Sequence, residues 1–320
     1  FFIEAFTIPT PSMEKSLLVG DYLFVSKITY GPKAPNTPLS FPFVHHTLPG
    51  TDDIKSYVEW MKLPYYRFAG LKDVDHNDAV VFNYPAGDTV STRFQSNVSY
   101  YALIKKYGRN RVWTDKRNFG EIVVRPVDKR ENYVKRCIGL PGDTLSIINR
   151  QVYLNSVPAI NPEKLQYQYK VTTNGSSINP KILDKFDITE TFRGNKPGQF
   201  TFVLTEKAKT ELEKLPIVKS IEVFNDEAGL WKPEIFPYDS AYKWNRDNFG
   251  PIYIPKKNIP INLTIENLPK YERLIRNYEG NELAVIDGKI VINGEETLSY
   301  TPRFNYYWMM GDNRHNSADS

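Results

Sequence analysis

The chain has 320 residues, 41% of them hydrophobic and 24% charged, enough for one large core or two modest ones. A formal net charge of +4 with no long basic run speaks against a nucleic-acid partner, and none is expected. The single cysteine, Cys137, excludes an internal disulfide and a cysteine-rich metal site.

The 21 Tyr, 18 Phe, 23 Pro and 18 Gly predict many short strands joined by turns. Residues 1–9 read as a strand. Residues 17–28 read as strands around a Gly20-Asp21 turn. Residues 31–50 hold 5 prolines and read as loop. A short helix is expected within 52–66, a buried strand over 78–84, a two-turn helix over 99–107, and strands over 119–127 and 132–139. The Pro141-Gly142-Asp143 turn leads to a hairpin of strands 144–148 and 151–154. From about 156 to 280 the sequence turns polar and rich in Lys, Asn and Pro, with a helix at 205–214 that Thr205 caps. This stretch reads as a second, smaller domain set into the first. Apolar runs on either side of Asp287-Gly288 predict a hairpin over 283–293, and 306–310 reads as one more strand.

Lys135 stands out. It lies between Val134 and the run Cys137-Ile138-Gly139-Leu140, in a strand-like apolar setting. Loss of water disfavours a charged amine, so burial turns a lysine toward a base. An ordinary lysine leaves only about one amine in a thousand neutral near pH 7.5, and lowering its pKa by ~2 units costs about 2.7 kcal/mol. By period-two alternation Arg136 points to the other face of the strand, where a structural ion pair is expected. The histidines, His45 and His46 in the proline-rich loop, His76 before a strand and His315 near the end, offer no obvious base for a Ser-His-Asp arrangement.

Four stretches in order complete the pattern: Ile8-Pro9-Thr10-Pro11-Ser12-Met13 with Leu17 and Gly20-Asp21; Asp78 to Pro85; Tyr133 to Asp143; and Gly311 to Ser320. Together they resemble the type I signal peptidases, membrane-bound serine proteases that remove leader peptides from exported proteins. The resemblance implies a mainly β fold. Its catalytic core would be a coiled antiparallel β-sheet formed by 1–155 and 281–320. Loop insertions would lie at about 31–75 and 86–118, and a smaller inserted α+β domain would span 156–280. It implies Ser12 as nucleophile, Lys135 as general base, and Thr10 with the Ser12 backbone N–H as the oxyanion hole. Ser317, Asp319 and Arg136 would support the lysine, although the arginine that usually pairs with Asp319 falls after Ser320, beyond the sequence. Phe6, Ile8, Pro9, Val81, Tyr133 and Val134 would line shallow pockets for small side chains at the first and third positions before the cut. An extended peptide would pair with strand edges at 6–10 and 81–84.

Preprotein signal peptides and a membrane lipid surface are the expected partners, with no cofactor and no metal, and a monomer is expected. The resemblance places the catalytic domain on the outer face of a bacterial inner membrane. No window reaches the ~18 apolar residues of a span, so the anchor is expected outside this sequence, which opens at Phe1 rather than Met. Two rivals are a self-cleaving repressor-type Ser-Lys protease and an inert envelope binding module.

Overall fold

The computed structural model describes residues 2–41, 44, 46–51, 54–96, 98–194 and 196–317. It is mainly β, with short antiparallel strands and few helices. The chain divides into two compact units, one of Phe1–Thr7, Tyr22–Val74 and Ala79–Val134, the other of Ile8–Asp21, Asp75–Asp78 and Lys135–Ser320.

In the first unit Ile3–Thr7 pairs with Tyr22–Ser26, from Ile3 opposite Ser26 to Thr7 opposite Tyr22. Thr89–Ser91 pairs with Ile122–Val124. Three short helices, Tyr100–Tyr107, Arg109–Thr114 and Lys116–Phe119, gather Tyr100, Leu103, Val112 and Phe119 into a small core. The strand expected over 78–84 forms as Ala79–Asn83, but it is half-buried rather than buried. The helix expected within 52–66 does not form among the described residues. The N–H groups of Ser56, Val58 and Leu63 donate instead to the carbonyls of His46, Leu39 and Asn36. Backbone donors used across a loop are unavailable to a helix.

In the second unit the strand expected at 17–19 is a turn. The Leu17 N–H donates to the Met13 carbonyl, and the Leu18 N–H to the Asp21 carboxylate. A short acidic side chain that accepts from the backbone favours turn over strand. The hairpin of Thr144–Ile148 and Gln151–Leu154 follows its alternation, with Leu145, Ile147 and Val152 pointing into the core. Asn149 and Arg150 take the left-handed conformation at its tip, with φ of 48° and 72°, as a two-residue turn requires. Phe249–Tyr253 flanks this hairpin on one side and Val157–Pro158 on the other. Ile138, Phe249, Ile252, Ile254 and Met310 complete the core beneath it.

The 156–280 stretch carries its own sheet, ordered Thr191–Arg193, Gln199–Thr205, Gln166–Thr173, Val218–Val223. Val171, Phe202, Leu204 and Leu212 form its core, with helices Pro180–Lys185 and Glu206–Glu213. Thr205 Oγ1 caps the second helix, accepting from the Ala208 N–H at 3.2 Å. The later hairpin forms as Leu283–Ile286 and Lys289–Ile292 about Asp287 and Gly288, both at positive φ.

Candidate active site

Pro9 and Pro11 shape the segment that presents Ser12. Thr10, held before a proline, is extended at φ −134° and ψ 151°. Pro11 then opens a single 3-10 turn, Pro11–Met13, closed by the Glu14 N–H on the Pro11 carbonyl at 3.0 Å. Ser12 and Met13 are buried there, whereas Thr10 is exposed.

Lys135 rides on the strand Asn132–Gly139. Its Nζ lies 2.6 Å from Ser12 Oγ, across 123 residues of sequence. Ser12 is 7% exposed and Lys135 4%, so the pair is shielded from water. Shielding of this kind favours the neutral amine, and a neutral amine at hydrogen-bond distance from a hydroxyl can take its proton.

Arg136, next along the strand, grips Asp312 with two bonds, Nε to Oδ1 at 2.7 Å and a terminal nitrogen to Oδ2 at 2.5 Å. Its other terminal nitrogen donates to the Asn77 carbonyl at 2.7 Å. Ser16 Oγ adds a bond to Asp312 Oδ2 at 2.6 Å. The bond to Asp312 holds the Arg136 guanidinium above its usual value despite burial. The Gly311-Asp312 corner is therefore more than a tight turn: Asp312 ties the Ser12–Ser16 segment to the Lys135 strand. Nothing in the sequence marked this role, because its partners lie 296 and 176 residues away.

Gly311 sits where its backbone passes close to that of Ser12. A Cβ there would lie 2.5 Å from the Ser12 carbonyl oxygen and 2.8 Å from Ser317 Oγ, too close for any side chain. Ser317 is buried against it. Asp319, like His45, lies outside the described residues. Asn313, not singled out from the sequence, donates its backbone N–H to the Ser12 carbonyl at 3.1 Å and its side-chain amide to the Pro11 carbonyl at 3.3 Å.

The Lys135 strand ends in a turn stapled by Asp143. The Asp143 N–H donates to the Leu140 carbonyl, and Gly142 takes φ +102°, as a turn with proline then glycine requires. Burial pushes the Asp143 carboxyl up, but the Leu140 N–H, His76 and Asn155 outweigh it and hold it below its usual value. Cys137, two residues past Lys135, is fully buried, and burial first, then Asp78 and Asp143, push its thiol up to about 12.

The three described histidines have other partners. His46 Nε2 is 2.9 Å from the Lys129 carbonyl, and His76 Nε2 2.8 Å from Asp143. His315 forms a buried pair with Asp247, Nε2 to Oδ1 at 2.8 Å, which looks like half of a catalytic triad. Its Nδ1 accepts the Gln168 N–H at 3.2 Å, so both ring nitrogens are occupied. Burial pushes the Asp247 carboxyl up, and the bonds from His315 and the Asp226 N–H, with Arg246, bring it below its usual value.

Of the residues expected to line the substrate pockets, Phe6, Val81, Tyr133 and Val134 belong to the first unit, all half-buried. Tyr133 stacks on Tyr84 at 4.3 Å between ring centroids. Val81 lies on Ala79–Asn83, an edge strand of its sheet. Ile8, buried, and Pro9, exposed, belong to the second unit. Among the described residues, no helix is long and apolar enough to cross a membrane.

A serine and a lysine brought together on a mainly β scaffold define a class. A sequence model of the signal peptidase, peptidase S26 family matches residues 1–219, and the chain belongs to that family. The matched region carries Thr10, Ser12 and Lys135 and stops before the stretch Gly311 to Ser320. The chain is also 35% identical to signal peptidase I U of Bacillus subtilis (strain 168) over 68 residues. That match covers 21% of this chain and 36% of the relative, so the chain spans little more than a third of that protein's length.

Proposed function

We propose that this chain is a serine endopeptidase that cleaves signal peptides from exported preproteins with Ser12 and Lys135 as a dyad. The observation that carries the reading is the buried 2.6 Å approach of Lys135 Nζ to Ser12 Oγ. Family membership supports it, and the relative's name, signal peptidase I U, agrees with it.

In the proposed reaction, the Lys135 amine accepts the Ser12 hydroxyl proton as Oγ attacks the carbonyl carbon of the scissile bond. The oxyanion that forms is met by the Thr10 hydroxyl and the Ser12 backbone N–H. The Lys135 ammonium then gives its proton to the departing amine as the C–N bond breaks, leaving an ester on Ser12. Lys135 next deprotonates water, which attacks the ester, and Ser12 recovers its proton. Ser317, buried against Gly311, and Arg136, pinned by Asp312, keep the lysine's surroundings fixed. Asp319 is assigned to the same support. A preference for small side chains at the first and third positions before the cut is part of this reading. The catalytic domain works at a membrane surface.

Incubation with a preprotein and sequencing of the new N-terminus tests this. Cleavage after an Ala-x-Ala-like site is expected from the wild type and none from Ser12→Ala. Equal cleavage by both proteins would refute the assignment.

A further inference from the structure

The turn that carries Ser12 cannot hold itself. One 3-10 turn has a single internal backbone bond, and isolated turns are unstable in water. Its carbonyls at Pro11 and Ser12 are instead held by Asn313. An asparagine side chain has several rotamers, so something must fix this one.

The fixing group comes from the 156–280 stretch. Glu190 Oε1 accepts from Asn313 Nδ2 at 3.0 Å, and Oε2 accepts from Asn316 Nδ2 at 2.7 Å. The Val203 N–H anchors Glu190 in turn, donating to its carbonyl at 3.1 Å. Nearby, Lys15 Nζ reaches Asp187 at 2.9 Å and Thr189 Oγ1 at 3.2 Å. Thus residues 187–190 hold the nucleophile turn at two points. The placement works against Glu190 itself. Burial, with Glu14 nearby, pushes its carboxyl above its usual value even though Asn316, Asn313 and Lys15 oppose the shift.

We propose that Glu190 is a positioning residue for Ser12: its carboxylate locks Asn313, and Asn313 holds the Pro11 and Ser12 carbonyls so that Ser12 Oγ stays beside Lys135. The inference rests on the Ser12–Lys135 reading and gives the inserted stretch a part in it. A serine that drifts by about 1 Å loses roughly 10²-fold in rate, and a carboxylate bridging two amide donors fixes geometry at the scale that matters.

The test uses the whole chain and an Ala-x-Ala peptide. Glu190→Ala is expected to lower kcat by about 10- to 100-fold, with KM within about threefold and little change in melting temperature. Glu190→Gln keeps an acceptor for Asn313, while the exposed Asn316 can swing aside, so kcat should return to within about threefold of wild type. In parallel, hydrogen exchange at the Asn313 amide should speed up in Glu190→Ala and recover in Glu190→Gln. The inference is overturned if Glu190→Ala keeps kcat within about twofold. It is equally overturned if both variants lose activity only in step with their unfolded fraction. A wild type that cleaves nothing would remove the Ser12–Lys135 reading, and the Asn313 exchange would then decide the role of Glu190 alone.

Discussion

Two buried lysines lie in the second unit, one on a regular strand and one in an irregular turn. In the turn, Lys15 faces the carboxylates of Asp187 and Glu14. On the strand, Lys135 faces the Ser12 hydroxyl. The same side chain, equally hidden from water, is an ion-pair partner in one place and a candidate base in the other. Carboxylates at ion-pair distance from Lys15 reward a charged amine, and the hydroxyl 2.6 Å from Lys135 gives a neutral amine a proton to take.

Replacing each lysine by arginine separates the two roles most sharply. Arginine keeps a positive charge and cannot act as a base at working pH. Lys135→Arg is expected to lose roughly 10⁴-fold or more in kcat, on the scale seen when a catalytic base is removed. Lys15→Arg keeps a cation for Asp187 and should cost less than about tenfold. Similar losses at both positions would erase the contrast. A smaller effect is expected at Thr10: removal of one oxyanion donor by Thr10→Val should cost about 10²-fold in kcat, while Thr10→Ser keeps the hydroxyl and most of the rate. Equal losses in the two variants would take Thr10 out of the oxyanion hole.

The strand's other cation gives a stability test. Asp312→Ala strips Arg136 and Ser16 of their buried acceptor and should destabilise by about 3 kcal/mol, read from denaturant midpoints. A change under about 1 kcal/mol would mean that water replaces the carboxylate. The smallest effect concerns the turn that ends the strand. The Asp143 carboxyl sits below its usual value when folded. Its stabilisation is therefore complete above the ordinary carboxylate value near 4 and is lost as pH falls through the lower folded value. Wild type should be more stable than Asp143→Asn at pH 7, and the gap should shrink toward pH 2. A gap that does not narrow would assign the effect to shape rather than charge.

What the sequence made legible was local. The hairpin at 283–292 was readable because its turn residues, Asp287-Gly288, sit where the backbone needs positive φ, and the one at 144–154 because two strand-like runs follow the Pro141-Gly142-Asp143 turn. The helix Glu206–Glu213 announced itself through Thr205 at its cap. Ser12 and Lys135 could be matched because motif spacing survives when contacts cannot be seen. The rest depended on distant partners. Residues 54–66 carry no sign that their N–H groups would bond to 36–46. Leu17-Leu18-Val19 reads as strand until the Asp21 carboxylate claims the Leu18 N–H. Glu190 lies in an ordinary Thr-Glu-Thr run, and Asp247 pairs with His315 from 68 residues away. Neither leaves a local trace.

Cys137 shares the Lys135 strand, is sealed from solvent, and holds its thiol far from the reactive anion. It is also the only cysteine in the chain. The molecule therefore contains a built-in stopwatch. A thiol reagent can bond to it only when the strand lifts from its neighbours, so the labelling rate of the unmodified protein times the opening of the element that carries the proposed base.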